Sequence, residues 1–211
     1  MKTEALIRAL SLDAARPIVP LNRIVGLALA AGVAASVLLF TLTLRPRADF
    51  PMALYSPGFL FKMTITICLA LTAATLLGEV ARPLGRGRSR AALALAPALL
   101  VAGVAIELFV VPGNEWHTRL IGRNAPHCVL LIPMLSAVPA ALLMLALRRT
   151  APARPGFAGI VIGLTAGGIG AGLYALSCPD DSPLFVATWY SFAIAVVAGI
   201  CFIAGKRWLR W

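Results

Sequence analysis

Six apolar runs, each about as long as a bilayer is thick, constrain this chain more than any other feature. The runs are Ile24–Leu44, Phe59–Ala81, Ala91–Val111, Cys128–Leu147, Phe157–Ser177 and Leu184–Ala204. Roughly 20 predominantly apolar residues form a helix that crosses the hydrocarbon core. The connections between the runs are too short for a separate soluble domain. The sequence therefore predicts an all-α membrane protein, a six-transmembrane-helix bundle that occupies residues 24–211.

The composition fits this class. Of 211 residues, 60% are hydrophobic and 13% charged, whereas charged residues make up about a quarter of a soluble domain. The first run begins only after 23 residues and is longer than the roughly 7–15 residues of a signal-peptide core. We therefore interpret Ile24–Leu44 as a true span and not as a cleaved signal.

Basic residues divide unequally between the two predicted sides. Fourteen Lys and Arg residues fall in the N-terminal segment, the second and fourth connections and the C-terminus, and four fall in the other connections. An excess of Lys and Arg marks cytoplasmic flanks. We expect both termini in the cytoplasm. The net charge of +11 is then mostly a matter of topology, and direct nucleic-acid binding is not expected.

The N-terminal segment, residues 1–23, predicts a short amphipathic helix. Its apolar stripe contains Leu6, Ile7 and Leu10, and Pro17 and Pro20 end the helix before the membrane. One interpretation is a helix that lies on the lipid surface. The other is a helix that docks its apolar face into a groove of a cytoplasmic protein.

Two charges lie inside the apolar runs, at similar predicted depth. Lys62 is near the outer end of the second run and Glu107 is near the outer end of the third. An intramembrane charge is costly when it is unpaired. The sequence predicts a Lys62–Glu107 ion pair, with snorkelling of each side chain to the interface as the alternative.

Glycines recur at four-residue spacing in the fifth run, at Gly159, Gly163 and Gly167. Such small-residue rows let helix backbones approach closely. They predict packing against other spans of the same chain or, alternatively, a dimer seam. The oligomeric state is left open.

Two of the four cysteines share a predicted face. Cys68 and Cys201 fall within spans and are interpreted as packing residues. Cys128 opens the fourth run and Cys178 follows the fifth, so both are predicted at the outer side. The nine-residue connection between these runs favours adjacent helices. A disulfide then requires Cα atoms within about 7 Å.

Helix position predicts which thiol reacts first. Cys128 is predicted in the first turn of a helix with Pro126 near its start, where the helix dipole favours a thiolate. Cys178 is predicted at a helix C-terminus, where the dipole disfavours the anion. We expect Cys128 to react first and Cys178 to resolve the product.

Other groups on this side leave a metal site open. His117 and His127, together with Cys128 and Cys178, form a ligand set that suits a soft or borderline metal ion. Asp180, Asp181 and Ser182 also have a local interpretation, because with Pro183 at the first helical position they can cap the sixth span. Metal binding by the two histidines and two cysteines is the alternative to simple thiol redox chemistry.

No enzyme signature is present. The sequence lacks C-x-x-C, H-E-x-x-H and G-x-S-x-G motifs and a phosphate-binding glycine loop. We predict no enzymatic activity and no resident cofactor, with a transient heavy-metal ion as the one ligand considered.

The whole chain resembles the NrsF-type anti-sigma factors, membrane regulators of sigma-F-like extracytoplasmic function (ECF) sigma factors. The resemblance rests on the opening "MKTEALIRALSLDAA", the six spans, the Cys at the start of span four, the "CPDD" turn and the "LRW" ending. It implies a protein of the bacterial inner membrane that holds a cytoplasmic ECF sigma factor inactive, with the N-terminal segment as the contact.

The resemblance also implies that a cysteine pair takes part in sensing oxidative or heavy-metal stress, which here corresponds to Cys128 and Cys178. The N-terminal segment departs from zinc-containing anti-sigma domains, since it has no Cys or His. Two rival functions stay open: a small polytopic transporter, which would need Glu107, and a membrane scaffold without sensing.

Overall fold

The computed structural model describes residues 21–80, 88–150 and 152–210, together with Thr3. Within these ranges all regular structure is helical, and six helices are long and apolar enough to cross a membrane. The predicted number of spans is confirmed. The helices are α1 (Leu21–Thr43), α2 (Pro57–Val80), α3 (Leu95–Val110), α4 (Ala125–Leu147), α5 (Pro155–Ala175) and α6 (Pro183–Trp208).

Short helical segments complete the chain between the spans. A 3₁₀ stretch at Arg88–Ala94 leads into α3, and short helices occupy Phe50–Ala53 and Trp116–Ile121 in the first and third connections. The predicted amphipathic helix with Leu6, Ile7 and Leu10 lies outside the described residues.

Helix α5 forms the centre of the bundle. It packs against α6, α2 and α4, and α1 packs on the outer side of α4. In the most apolar 18-residue stretch of α5, about two thirds of the residues are buried inside the protein, compared with 17% in the span that contains α3. Helix α3 is accordingly peripheral, in contact mainly with α2 and with the start of α6.

Buried glycines explain why three helices can surround α5 so closely. A Cβ on Gly159 would meet the backbone carbonyl of Cys201 in α6, and one on Gly168 would lie 2.8 Å from the Ala70 nitrogen in α2. A Cβ on Gly170 would meet Ser136 in α4. The glycine row of the fifth span therefore packs within the chain, the first of the two interpretations of the sequence.

The core divides into two clusters along the bundle. One contains Leu76, Leu77, Leu143, Leu147 and their neighbours. The other contains Cys128, Cys178, Tyr174, Phe185 and Tyr190. We call the end of the bundle that holds this second cluster the cysteine end. It also holds the first, third and fifth connections, and the first and third each form hydrogen bonds with the fifth.

Candidate functional site

The connection between α5 and α6, residues 176–182, is where the polar contacts of the cysteine end converge. We call it the 176–182 loop. Its backbone accepts a 3.0 Å hydrogen bond from the Arg47 N–H at the Leu176 carbonyl, and the Ser177 hydroxyl donates to the Arg45 carbonyl. The first connection is thus fixed to this loop.

The structure brings Cys128 and Cys178 together. Cys128 lies in the first turn of α4, and its N–H bonds to the Asn124 carbonyl at 3.0 Å; the N–H of Cys178 bonds to the Tyr174 carbonyl at 3.1 Å. Both cysteines belong to one buried cluster, and both are free thiols. Their exposed fractions are 0% and 1%, so a reagent must displace part of the surrounding packing to reach either sulfur.

The electrostatics favour Cys178 as the more acidic thiol. The hydrogen bond from Cys128, the charge of Lys62 and the backbone N–H of Asp180 together lower the pKa of Cys178 to about 7, against the opposing effect of burial. The sequence predicts that Cys128 reacts first, on the basis of the helix dipole. Cys128 does lie in the first turn of α4, but the charge of Lys62 and the neighbouring thiol favour a thiolate at Cys178.

Lys62 extends from α2 into the centre of the site. Its side chain is 0% exposed and its Nζ forms an ion pair with Asp181 Oδ1 at 2.6 Å. The same ammonium donates to the carbonyls of Cys178 at 2.8 Å and Asp180 at 3.1 Å. The rings of Phe59 and Tyr190 lie 5.9 Å from it. Carboxylate, carbonyls and π faces together compensate the cost of burying this charge.

The predicted Lys62–Glu107 ion pair is wrong. The 176–182 loop inserts a nearer carboxylate, that of Asp181, at Lys62. Glu107 instead accepts the Ser182 hydroxyl at 2.8 Å and the Leu184 N–H at 2.8 Å, and forms an ion pair with Arg119 at 3.4 Å.

Glu107 therefore caps the start of α6. Pro183 occupies the beginning of α6 as predicted, but the side chain of Ser182, at the N-cap, makes no cap hydrogen bond. The carboxylate comes from α3, and it satisfies a free N–H group at the positive end of the helix dipole. The expected cap by Asp180, Asp181 or Ser182 is replaced by one from another span.

The two aspartates of the loop bind different neighbours. Asp180 Oδ2 accepts the backbone N–H groups of Arg123 and Asn124 at 3.1 and 2.9 Å and the Asn124 amide at 3.0 Å, just before α4 begins. Asp181 Oδ2 pairs with Arg47 Nη1 at 2.7 Å. Hydrogen bonds to Asp49 and Asp181 raise the pKa of the Arg47 guanidinium, which keeps it charged. One short loop thereby contacts α2, α3, the start of α4 and the first connection.

Aromatic side chains enclose the thiols. Tyr174, Phe185 and Tyr190 belong to the same buried cluster as the cysteines, and the Tyr174 and Tyr190 rings lie 5.9 Å apart. Tyr190 ends a π-helical turn, Val186–Tyr190, and its buried hydroxyl has no hydrogen-bond partner among the described residues. Turns of this kind occur often at functional sites.

The histidines do not join the cysteines. His117 and His127 are exposed, whereas both thiols are buried, and His127 points away because adjacent helical residues lie about 100° apart. In the parts of the chain that the structure describes, no three His, Cys, Asp or Glu side chains are placed to hold a metal ion. The proposed four-residue metal set is therefore not assembled here, and only the two thiols are placed to share a thiophilic ion.

Sequence reasoning missed the roles of Arg47, Asp181 and Tyr190. The sequence does hold a partial signal for the Lys62 partner. A lysine inside a span needs an acidic partner, and the 176–182 loop contains two aspartates. The choice of Asp181 over Glu107 depends on how the loop folds over α2, which no spacing rule gives.

The family model described as "Negative regulator of sigma F" (NrsF) matches residues 10–211 of this chain. The chain belongs to the NrsF family. The anti-sigma-F factor NrsF of Caulobacter vibrioides (strain NA1000 / CB15N) is 34% identical over 215 residues, and the alignment covers all of both chains. The probable anti-sigma-F factor NrsF of Azospira oryzae is 32% identical over 213 residues, again with full coverage. No solved structure matches the chain.

The NrsF match confirms the resemblance seen in the sequence. It includes both cysteines and every residue of the network described above. It also assigns the chain to regulators of a sigma factor.

Proposed function

We propose that this NrsF-family protein holds a cytoplasmic ECF sigma factor inactive at the bacterial inner membrane and releases it when the Cys128–Cys178 pair reacts. Membership in a family of negative regulators of sigma F supports the first part. The two thiols, buried in one cluster at one end of the bundle, support the second. This thiol pair is the observation that carries the proposal.

The distribution of basic residues supports an orientation. Connections at the end opposite the cysteines are rich in Lys and Arg, as cytoplasmic flanks are. The cysteine end then faces the oxidising periplasm. Both chain termini, including the stripe of Leu6, Ile7 and Leu10, face the sigma factor, and we assign that stripe the contact with it.

The oxidative chemistry requires a peroxide. The Cys178 thiolate attacks one peroxide oxygen, the O–O bond breaks, and the leaving oxygen departs with a proton as water or an alcohol. Cys178 is then a sulfenic acid, and the Cys128 sulfur displaces its hydroxyl group. The hydroxyl leaves as water with the Cys128 proton. Two thiols are oxidised by two electrons to one disulfide.

A thiophilic divalent ion would act on the same two atoms without redox change. It would displace one proton from each thiol and bind the two sulfurs. Either reaction replaces two separate thiols by sulfurs that are linked to each other or to one shared ion. Oxidant and metal are therefore alternative stimuli at one site.

The 176–182 loop is suited to pass such a change onward. It carries Cys178 together with the carboxylates that bind Lys62, Arg47 and the start of α4. It is also continuous with α5, the central helix. A shift of the loop changes contacts of several spans at once, and coupling of this kind requires a packed network with two arrangements.

Single cysteine substitutions test the proposal. Cys128→Ser and Cys178→Ser are expected to keep repression of a sigma-dependent reporter but to lose its induction by peroxide or Cd²⁺. Cys201→Ser is a matched control, because this thiol is also buried in a span but belongs to the other core cluster.

Induction that persists in both Cys128→Ser and Cys178→Ser overturns the thiol mechanism. The sigma contact is tested separately by Leu6→Asp and Leu10→Asp, which are expected to release the sigma factor from membranes without any stimulus. Retention of the sigma factor by both variants contradicts the assigned contact.

A further inference from the structure

A cleft lies between α2 and α3 at the cysteine end, on the other side of the 176–182 loop from the thiols. Its volume is about 850 Å³, within the roughly 300–1,000 Å³ of ligand sites. One stripe of α3 forms an apolar wall, and Pro57, Gly58 and Phe61 of α2 face it. The stripe consists of Leu99, Ala102, Ile106 and Val110.

Helix α3 contacts α2 beside the cleft. Gly103 lies directly against the Phe61 ring, and a Cβ there would clash with it. Phe61 thus forms the contact between the two helices and part of the cleft wall. An apolar wall on a peripheral span is suited to contact with lipid chains.

The mouth of the cleft is polar and carries both signs of charge. Glu107, Arg119, Arg123, Asp180 and Asp181 line it. Each carboxylate is already bound: Asp181 by Lys62 and Arg47, Glu107 by Arg119, Ser182 and the Leu184 N–H, and Asp180 by three N–H donors at Arg123 and Asn124.

Arg123 is a cation at this mouth that is left without a carboxylate partner in the described part of the chain. The Arg123 guanidinium is exposed and forms no ion pair with any residue that the structure describes. Arg119 is 43% exposed and shares its charge between Glu115 and Glu107. Planar guanidinium groups suit bidentate binding of phosphate.

We propose that this cleft binds one phospholipid from the leaflet at the cysteine end. The phosphate contacts Arg123 and Arg119, and an acyl chain lies along the α3 stripe against Phe61. The polar mouth lies where the headgroups of that leaflet lie, and the apolar wall lies where its acyl chains lie. The headgroup contacts residues 179–182 of the 176–182 loop. Lipid composition then affects the position of the loop that carries Cys178.

Native mass spectrometry of the full-length protein tests the proposal. The protein is reconstituted into bilayers of phosphatidylethanolamine and phosphatidylglycerol and released in mild detergent. We expect one phospholipid retained per chain. Arg123→Gln should weaken retention roughly tenfold, the effect of one lost charge-assisted contact, and Ile106→Trp should abolish it by filling the cleft.

Two controls match these variants. Arg45→Gln removes an exposed arginine in the first connection, and Val101→Trp adds bulk to an exposed face of α3 that does not line the cleft. Both should retain lipid as the wild type does. The Cys128→Ser/Cys178→Ser double variant should also retain lipid, which makes this result independent of the proposed thiol function.

The proposal is overturned if the wild-type protein retains no phospholipid, or if Arg123→Gln and Ile106→Trp retain as much as their controls. A competition distinguishes a lipid from a free phosphate ester. Glycerol 3-phosphate, which lacks acyl chains, should fail to displace the lipid, and complete displacement at equal concentration would show that the chain contributes nothing.

Discussion

Lys62 and Asp181 form a 2.6 Å ion pair in which the lysine side chain is fully buried. The pair joins α2 to the 176–182 loop, only three residues from Cys178 in sequence. The same ammonium also donates to the Cys178 carbonyl. The position of the sulfur therefore depends on a charge that has no access to water.

Loss of Asp181 should destabilise the protein more than loss of Lys62. Asp181→Asn leaves the buried Lys62 ammonium without its carboxylate, which costs about 3–5 kcal/mol, whereas Lys62→Met leaves Asp181 paired with Arg47 and should cost less. The double variant should lose less than the sum of the two single losses. Unfolding in detergent micelles gives the free energies. Glu115→Gln, which breaks the exposed pair with Arg119, should cost less than about 1 kcal/mol, and equal costs for buried and exposed pairs would refute the assignment.

Asp180 should hold the start of α4 in place. Asp180→Ala removes the acceptor for two backbone N–H groups and one side-chain amide, and we expect a loss of about 1–2 kcal/mol, similar to that of a helix cap. Hydrogen exchange of the peptide containing Arg123 and Asn124 should accelerate. Asp180→Asn keeps an acceptor oxygen and should exchange more slowly than Asp180→Ala; unchanged exchange in both would exclude this role.

The reactivity of Cys178 should rise through pH 7. Its pKa is lowered to about 7, mainly by the hydrogen bond from Cys128, so the thiolate predominates above that pH and is lost below it. The rate of methylthiolation of Cys178 by a small permeant reagent, measured by mass spectrometry, should have its midpoint there.

A matched pair of variants tests how far Cys128 lowers the pKa of Cys178. Cys128→Ala removes the thiol and should move the pH midpoint of the Cys178 reaction upward. Cys128→Ser keeps a hydroxyl donor and should move that midpoint less. If the wild-type protein has its pH midpoint at the value of an unperturbed thiol, Cys128 and Lys62 do not act on Cys178 as described.

Replacing a glycine of α5 by alanine should destabilise the protein, whereas the same change at a glycine with free space beside it should not. Gly163→Ala places a methyl group against the Ala198 backbone, and overpacking of this kind costs about 1–3 kcal/mol. Gly199→Ala in α6 meets nothing within 4 Å and should stabilise the helix by up to about 1 kcal/mol. Thermal unfolding in detergent compares the two, and equal shifts would show that α5 is less tightly packed than described.

The sequence predicted the spans well because their signal is local. Apolar runs and the spacing of glycines in Phe157–Ser177 act within one helix or between neighbours. The meeting of Cys128 and Cys178 also followed from a short connection between consecutive spans.

The polar partners of the site were harder to predict because they come from distant parts of the chain. Glu107 and Leu184 are 77 residues apart, and Lys62 and Asp180 are 118 apart. Several acids lie at similar depth, and only the folded loop selects among them. The surroundings of Cys178 were missed for a related reason, since Lys62, which donates to the Cys178 carbonyl, is 116 residues away in the sequence.

The glycine-lined surface of α5 has a mechanical consequence. Side-chain ridges normally interlock neighbouring helices and fix their axial positions, but at its glycine positions α5 presents backbone to α2, α4 and α6. Such a helix resists axial translation less than one with interlocking side chains. A displacement at its cysteine end is then delivered, over roughly 30 Å, to its other end, where Gly156 lies against Phe202 and Lys206. The central helix is therefore suited to movement along its own axis.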